Sequence, residues 1–179
     1  MRNTQHRNIQ IRLAKPGDEN IIAAVLLDAF TGYRYLYTEE AFEATILGIT
    51  RIKERINNKT MWVALFNNVV RATLSLTVTN SMLYIRSVAV SPIMRRKGLA
   101  MALMIHAEEE ALKMGYQQLE LTTTSFLFEA IRLYEHLGFE RYGYEDLFGT
   151  RLIKMRKNLG PGSTHYSLKN LNHGTSHAN

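Results

Sequence analysis

Three consecutive cations, Arg95, Arg96 and Lys97, precede a glycine at the start of a long apolar-striped segment. The stripe predicts a helix that begins at Gly98, and the first backbone N–H groups of a helix have no intrahelical partners. The aligned peptide dipoles also favour negative charge at this end. Because Gly98 lets a ligand approach the backbone closely, the stretch predicts a pyrophosphate-binding site.

The order of the residues in this loop excludes two common phosphate-binding motifs. A Walker A loop needs Lys and then Ser or Thr after its second glycine, and a dinucleotide fingerprint needs Gly-x-Gly-x-x-Gly; the chain has neither. The sequence is Arg95-x-x-Gly98-x-Ala100. It resembles the Arg/Gln-x-x-Gly-x-Gly/Ala signature of the GNAT superfamily of acyl-CoA-dependent N-acyltransferases.

A second block of residues supports this resemblance. The run from Ala130 to Phe139 reads AIRLYEHLGF. It is similar to the Ala-x-x-Leu-Tyr-x-x-x-Gly-Phe element that the superfamily carries one strand and one helix after the phosphate loop. The two blocks occur in the family's order.

Acyl transfer from a thioester to an amine has three chemical requirements. The amine must be neutral, the developing oxyanion needs a donor, and the departing thiolate benefits from a proton. The resemblance implies that the backbone of Val88, Ala89 and Val90 pairs with the cofactor and polarises its carbonyl. It also implies that Tyr134 lies beside the cofactor sulfur, where its phenol, of ordinary pKa about 10, can protonate the thiolate of a thiol of pKa about 8.5. The alternative is that Tyr134 is simply a core residue of an amphipathic helix.

The resemblance also assigns the contacts of acetyl-CoA, with no metal. Two positions depart from the family pattern: Met101 replaces a small hydroxyl residue that often touches a phosphate, and Leu127 replaces an Asn that often contacts the pantetheine. Both departures leave room for an altered acyl-CoA preference. The predicted cofactor-binding residues are Val88, Ala89, Val90, Arg95, Arg96, Lys97, Gly98, Leu99, Ala100, Leu127, Ala130 and Tyr134.

The sequence does not assign a general base. Family members often place Glu or His on the strand before the phosphate loop, where this chain has Leu83-Tyr-Ile-Arg-Ser87. Glu120 on the next strand is one candidate, although its alternation with neighbouring leucines can point it away from the cleft. A water chain and an amine that arrives neutral are the others. Arg86 is a candidate to hold an acidic group on the acceptor.

The acceptor side in this family is usually built from the segment between the first two helices, here Tyr33-Arg-Tyr-Leu-Tyr37. Its tyrosines and arginine can stack on a ring, hold a carboxylate, or only pack one helix on the next. The acceptor therefore stays open among small amines, amino acids, peptide N-termini, protein lysines and aminoglycoside-like molecules.

The elements that must position these residues follow from periodicity. Apolar alternation predicts a half-exposed strand over 70–78, and the Glu108–Glu110 triplet is expected mostly on the solvent side of its helix. The order of elements indicates an α/β (α+β) fold with a mixed, mostly antiparallel sheet of six to seven strands and about four flanking helices. The family resemblance, over residues 9–157, adds a splayed pair of parallel strands that forms the acyl-CoA cleft. The predicted strands are 9–13, 62–66, 70–78, 82–90, 117–122, 139–142 and 152–155, and the predicted helices lie after residue 18, within 39–56, from 98 to 115, and over 126–137.

Length and composition bound the domain organisation. The chain has 179 residues, of which 46% are hydrophobic, so we expect one domain over 1–157. A polar tail over 158–179 is expected to be flexible or peripherally docked, and its irregularly spaced His165, His173 and His177 do not favour a metal site. There is no cysteine, which excludes disulfides, Cys-ligated zinc and a thiol nucleophile.

Charge and hydropathy bear on location and partners. The apolar run over 21–27 is too short to cross a membrane, so we expect a soluble, cytoplasmic protein with no membrane partner. The net charge of +6 invites a nucleic-acid interpretation, but the cations are dispersed and no nucleic-acid-binding motif is present. The basic balance is better explained by a basic surface and a site for a polyanionic cofactor. Family members are often dimers, and an exposed last strand would offer an edge for a homodimer.

The predicted function is transfer of an acetyl group from acetyl-CoA to a primary amine, within a complex of the enzyme and both substrates. The alternative is a catalytically degenerate acyl-CoA-binding regulatory module, motivated by the missing base. A third hypothesis, phosphate binding without CoA, requires the block around Tyr134 to be a coincidence.

Overall fold

A computed structural model describes residues 9–79, 82–160 and 166. Its framework is a seven-stranded sheet with the order β1-β2-β3-β4-β5-β7-β6. Neighbouring strands are antiparallel except for the parallel pair β4 and β5. The strands are β1 Ile9–Leu13, β2 Met61–Phe66, β3 Val69–Thr79, β4 Met82–Val90, β5 Gln118–Thr124, β6 Glu140–Leu147 and β7 Thr150–Asn158.

Helices cover both faces of the sheet. Helices α4 and α5 pack on one face, where Leu103 of α4 and Leu137, directly after α5, are fully buried. Helices α1 to α3 pack on the other face through residues such as Leu26 and Ile52. The predicted fold class is therefore confirmed. The helices are α1 Glu19–Thr31, α2 Glu39–Ile46, α3 Ile49–Asn57, α4 Leu99–Lys113 and α5 Phe128–His136, with short 3-10 turns at Arg34–Leu36 and Pro92–Met94.

The region over 39–56, predicted as one helical region, is two helices. The chain breaks at Leu47, which has a φ of 51°, and Gly48 then occupies the N-cap position of α3 in an extended conformation. A left-handed residue cannot continue a right-handed helix, so α3 changes direction there. The break gives α3 its own orientation over the sheet.

Strand β3 is not half-exposed, as its alternation predicted. Both Thr73 and Ser75 are fully buried because α1 and α3 cover the face that these side chains occupy. Each finds a polar partner: Thr73 Oγ1 donates to the carbonyl of Trp62 at 3.0 Å, and Ser75 Oγ accepts from Arg55 at 3.1 Å. Thr73 and Ser75 therefore mark a hydrogen-bonded interior and not a solvent face.

The prediction that the Glu108–Glu110 triplet lies mostly on the solvent side of α4 was wrong for Glu108. Glu108 is only 2% exposed, and its Oε1 accepts from Lys157 Nζ of β7 at 2.6 Å. Glu109 and Glu110 are half-exposed. A buried cation on a neighbouring strand explains how a carboxylate can occupy the inner side of α4.

The last strand is not an edge of the sheet. Strand β7 lies between β5 and β6, so β1 and β6 are the two edges, and the proposed dimer edge at the last strand was wrong. Asn158, placed in the tail by the sequence, is the final residue of β7, and Leu159 after it is buried.

Most of the predicted tail lies outside the described residues, including His165, His173 and His177. Within the described part, Tyr166 donates from its hydroxyl to the carbonyl of His136 at 3.1 Å. None of the helices in the described part is both long and apolar enough to cross a membrane. Nor do the described residues include a group of three or more His, Cys, Asp or Glu that could hold a metal ion.

Candidate active site

The parallel strands β4 and β5 pair over only three residues each. Leu83 to Ile85 pair with Leu119 to Leu121, and no further pairing follows, although β4 continues to Val90 and β5 to Thr124. The two strands therefore splay apart beyond Ile85. The backbone of β4 on this side is left without a strand partner, which makes it available to an extended ligand.

A β-bulge lies where the strands begin to separate. Against β3, Arg86 pairs with Ser75 and Ala89 with Thr73, so β4 carries one residue more than β3 over this interval. Ser87, inside the bulge, has a φ of 55°. A bulge bends its strand and increases the local twist, which accounts for the divergence of β4 from β5.

A cavity of about 740 Å³ lies along the outer part of β4, the following loop and α5. Its lining includes every predicted cofactor-binding residue except Lys97: Val88, Ala89, Val90, Arg95, Arg96, Gly98, Leu99, Ala100, Leu127, Ala130 and Tyr134. It also includes residues that the sequence did not assign, among them Phe30 of α1 and Arg132 and His136 of α5. The volume is within the range of about 300–1,000 Å³ that small-molecule sites in proteins have.

The loop before α4 has the backbone geometry of an anion-binding turn. Arg96 and Gly98 are both left-handed, with φ of 62° and 86°, and Gly98 is the N-cap of α4 with no side-chain capping bond. The first bond inside the helix runs from the Ala102 N–H to the Gly98 carbonyl at 2.9 Å. The N–H groups of the first turn are thus available to an anion, and Met101 can contribute its backbone where its side chain cannot.

The three cations of the loop have different surroundings. Arg95 is half-buried: its Nη2 donates to the Ala29 carbonyl of α1 at 2.9 Å, while Arg96 is exposed. Lys97 turns away, with Nζ 3.7 Å from Met94 Sδ and 5.5 Å from the centre of the Phe66 ring. Two of the three predicted phosphate ligands therefore line the cavity, and Lys97 does not.

Tyr134 lines both this cavity and a second one. Its ring is buried in the core beside Phe139, with ring centres 6.1 Å apart. Burial, and then the neighbouring Tyr37, raise the pKa of the Tyr134 hydroxyl well above its ordinary value. The phenol therefore stays protonated at neutral pH and can act as a proton donor but not as a base.

The second cavity has a volume of about 280 Å³ and lies under α2, α3 and the β6–β7 hairpin. It shares Phe30, Val88, Leu127 and Tyr134 with the first cavity, so the two meet at these side chains. The hairpin is held over it by a bond of 2.7 Å from Thr38 Oγ1 to the Phe148 carbonyl. The remaining lining is rich in hydroxyl and arginine side chains, namely Tyr37, Thr45, Thr122, Thr123, Thr124, Thr150, Arg51, Arg55 and Arg86.

The predicted wall of tyrosines is divided between the cavities. Tyr33 lines the first cavity and Tyr37 the second, whereas Tyr35 is 81% exposed and lines neither. Burial raises the pKa of the Tyr37 hydroxyl above its ordinary value. The segment therefore contributes one ring to each cavity.

Glu120, the candidate base, lines neither cavity. It is buried on the sheet face opposite to Leu119 and Leu121, where its Oε2 accepts from the Tyr142 hydroxyl at 2.7 Å. Among the described residues, no Asp, Glu or His side chain lines the second cavity. The described lining of the second cavity therefore holds no carboxylate or imidazole that could take a proton.

The sequence missed two arginines, Arg51 and Arg55, which are four residues apart on α3. That spacing puts the two arginines on the same side of the helix. The spacing was the feature of the sequence that could have indicated their shared position. The covering Leu147 and Phe148 were also missed, because the hairpin that carries them was predicted too short.

Comparison with known proteins decides the family. The sequence model of the acetyltransferase (GNAT) family matches residues 22–139, more than half of the chain. The chain belongs to the GNAT acetyltransferase family. The match includes the phosphate loop and Tyr134 and ends at Phe139, so the resemblance drawn from the two sequence blocks is confirmed.

A curated relative is similar over a shorter stretch of the chain. The uncharacterized N-acetyltransferase YjgM of Escherichia coli (strain K12) is 55% identical over 53 residues, which are 30% of this chain and 32% of that protein. The similarity thus spans about a third of the relative's length.

Solved structures support the GNAT fold. The PaiA N-acetyltransferase from Thermoplasma acidophilum, in complex with coenzyme A, has a TM-score of 0.71 at 19% identity, covering 84% of this chain and 98% of that one. The ribosomal-protein-S18-alanine N-acetyltransferase from Escherichia coli has a TM-score of 0.69 at 18% identity, covering 89% and 99%. At these identities the likeness concerns the fold.

Proposed function

We propose that this protein is an N-acetyltransferase that moves an acetyl group from acetyl-CoA to a primary amine, by direct transfer within a complex that holds both substrates. The observation that carries the proposal is that two cavities of different lining meet at Tyr134. One cavity suits a long polyanionic donor, and the other suits a small polar acceptor. The naming of a relative as an N-acetyltransferase and the coenzyme A complex of a structural neighbour support this division.

The residues of the first cavity fit acetyl-CoA on chemical grounds. The backbone of β4 at Val88 to Val90 has no strand partner on the β5 side, and this side suits the amide-bearing pantetheine arm. The N–H groups at the start of α4 suit the pyrophosphate. Arg95 and Arg96 add positive charge to the same end. When bound, acetyl-CoA supplies a thioester: the amine nitrogen bonds to its carbonyl carbon, the C–S bond breaks, and the sulfur leaves with a proton.

Tyr134 is our choice for the donor of that proton. Its hydroxyl stays protonated at neutral pH, and its side chain lines both cavities where they meet. The amine binds in its neutral form, having lost its first proton to water, because the acceptor cavity offers no carboxylate or imidazole among the described residues. After attack the nitrogen loses a second proton to water, and the Tyr134 phenolate is reprotonated from solvent. The value of kcat/KM should therefore rise with pH up to the pKa of the acceptor amine.

The missing base also favours a second candidate, a degenerate acyl-CoA-binding regulatory module. Such a module would bind acetyl-CoA tightly and release CoA slowly in the presence of every amine. An enzyme would release CoA rapidly with at least one amine of a broad panel.

The deciding experiment is isothermal titration of the protein with acetyl-CoA, CoA and ATP, followed by CoA-release assays over amino acids, peptides, diamines and aminoglycosides. We expect micromolar acetyl-CoA binding, much weaker ATP binding, and turnover with at least one amine class. Equal affinity for ATP and acetyl-CoA would contradict the cofactor assignment. Tight binding without turnover would favour the module.

A further inference from the structure

The acceptor cavity carries three positive charges and no negative one among its described lining residues. Arg51 and Arg55 enter it from α3, and Arg86 enters it from β4. In the part of the chain that the structure describes, none of the ion pairs uses any of these three side chains. By contrast, the half-buried Arg12 is balanced by Asp18.

Arg55 is the most buried member of this cluster. It is half-buried, and its Nη1 donates to Ser87 Oγ at 2.7 Å and to Ser75 Oγ at 3.1 Å. Within residues 9–79, 82–160 and 166, its hydrogen bonds use Nη1 alone, so Nη2 and Nε are left for a ligand. Two neutral hydroxyls orient the guanidinium without neutralising it.

The three guanidinium groups are close enough to repel one another. Burial lowers the pKa of Arg55 first, and the neighbouring charges of Arg86 and Arg51 lower it further. Uncompensated like charges in a partly desolvated cavity are unfavourable, and an anion bound among them would remove that cost. Arginine also has the forked geometry that binds carboxylate or phosphate oxygens in pairs.

The position of the cluster relates it to acyl transfer. The cavity that holds the arginines opens onto Tyr134, and its volume of about 280 Å³ lies just below the usual range of about 300–1,000 Å³ for drug-sized ligands. It therefore suits a small molecule with one end at Tyr134 and the other among the arginines. A polycationic acceptor, such as a diamine or an aminoglycoside, would be repelled.

We propose that the acceptor is a small primary amine that carries an anionic group, a carboxylate or a phosphate, and that Arg51, Arg55 and Arg86 bind this group. The proposal rests on the acetyltransferase function above and specifies its substrate class. An amino acid or an aminoalkyl phosphate has the required chemistry.

The test uses sets of acceptors that differ only in the distal group. Each α-amino acid is compared with its carboxamide and its decarboxylated amine, and each ω-amino acid with the matching amino alcohol, diamine and aminoalkyl phosphate. We expect kcat/KM to favour the anionic member by about tenfold to a hundredfold, since charge-assisted hydrogen bonds are the strong ones. The carboxylate and phosphate arms show which anion is preferred.

Variants of the arginines test whether this cluster causes the preference for anionic acceptors. Arg86→Gln and Arg55→Gln should each reduce it about tenfold, mainly through KM, while acetyl-CoA affinity stays unchanged. Lys53→Gln is the matched control, because Lys53 lies on α3 between Arg51 and Arg55 in sequence, is exposed and lines neither cavity. Arg86 is exposed, so its variant should fold even if the Arg55 variant, which loses two hydrogen bonds, does not.

The outcomes separate this inference from the proposed function. Turnover of neutral and anionic amines with equal kcat/KM would overturn the inference and leave the acetyltransferase function intact. If no amine is acetylated, the function fails, and titration of the CoA-bound protein with N-acetyl amino acids and their amides decides the inference. Binding that requires the carboxylate and is weakened in Arg86→Gln supports an anion site; equal binding of acid and amide overturns it.

Discussion

Tyr134 combines a buried ring with a position at the junction of the two cavities. The ring packs beside Phe139, so part of its role is structural, yet its side chain also lines both cavities. Burial keeps the phenol protonated. A side chain with these properties suits the delivery of one proton to a leaving thiolate.

Tyr134→Phe removes the hydroxyl and keeps the ring. We expect kcat to fall about tenfold or more, since general acid catalysis contributes at least that much, while acetyl-CoA affinity and the urea midpoint change little. Steady-state CoA release and isothermal titration measure the two effects separately. Tyr35→Phe is the control, because Tyr35 is exposed and lines neither cavity. If kcat is the same in both variants, Tyr134 is not the acid.

The residues that we propose bind the donor were more predictable than those that we propose bind the acceptor. A helix N-terminus, its glycine and its flanking cations are local in sequence, so their chemistry can be inferred without a fold. The orientation of the Lys97 side chain, which turns toward Phe66, depends on a contact with β2 that the sequence does not specify. Arg51 and Arg55 reach the site only because α3 packs on the sheet with Arg55 beside Ser87 of the bulge, and no local pattern specifies that packing.

At the scale of elements, the start of α4 offers the sharpest test of the donor site. Gly98 and Gly115 flank α4 and have nearly equal left-handed φ angles of 86° and 82°. Replacing either with Ala should destabilise the fold by about 1–2 kcal/mol, the cost of a left-handed non-glycine residue. Only Gly98→Ala should also weaken acetyl-CoA binding, by about tenfold or more, because its Cβ stands where the phosphate approaches the backbone.

Gly115→Ala is the matched control for that prediction. An added Cβ at Gly115 would meet no atom within 4 Å, so the variant reports backbone strain alone. Urea denaturation measures the strain in both proteins, and isothermal titration measures acetyl-CoA affinity. Equal affinities in the two variants would move the pyrophosphate away from the start of α4.

Strand and helix positions were largely predictable because their periodicities are local, whereas burial was not. Strand β3 alternates apolar and hydroxyl residues, a pattern typical of a half-exposed strand. Thr73 and Ser75 are nevertheless buried, since helices from both sides of the sequence cover the two faces of the sheet. The splay of β4 from β5 likewise depends on a bulge at Ser87 that no residue type demands.

At the scale of the whole molecule, one buried ion pair ties α4 to β7. Lys157 Nζ and Glu108 Oε1 are 2.6 Å apart, and both side chains are 2% exposed. Strand β7 also pairs with β5, so this contact connects the helix that starts at the phosphate loop with the far half of the sheet. The two residues are 49 positions apart in sequence, so the glutamate triplet alone does not predict that Glu108 is buried in an ion pair.

Lys157→Met should destabilise the protein by about 3–5 kcal/mol, because it leaves the Glu108 carboxylate buried without its cation. Replacing both residues, with Leu at 108 and Met at 157, should recover most of that loss, since an apolar pair carries no desolvation cost. Lys113→Met is the control: Lys113 pairs with Glu110 at the same 2.6 Å but is 66% exposed, so its loss should change the free energy of unfolding little. Urea denaturation of the four proteins measures these differences. If Lys157→Met costs no more than Lys113→Met, the buried pair does not stabilise the junction of α4 and β7, and apolar packing together with the pairing of β5 and β7 holds these elements in place.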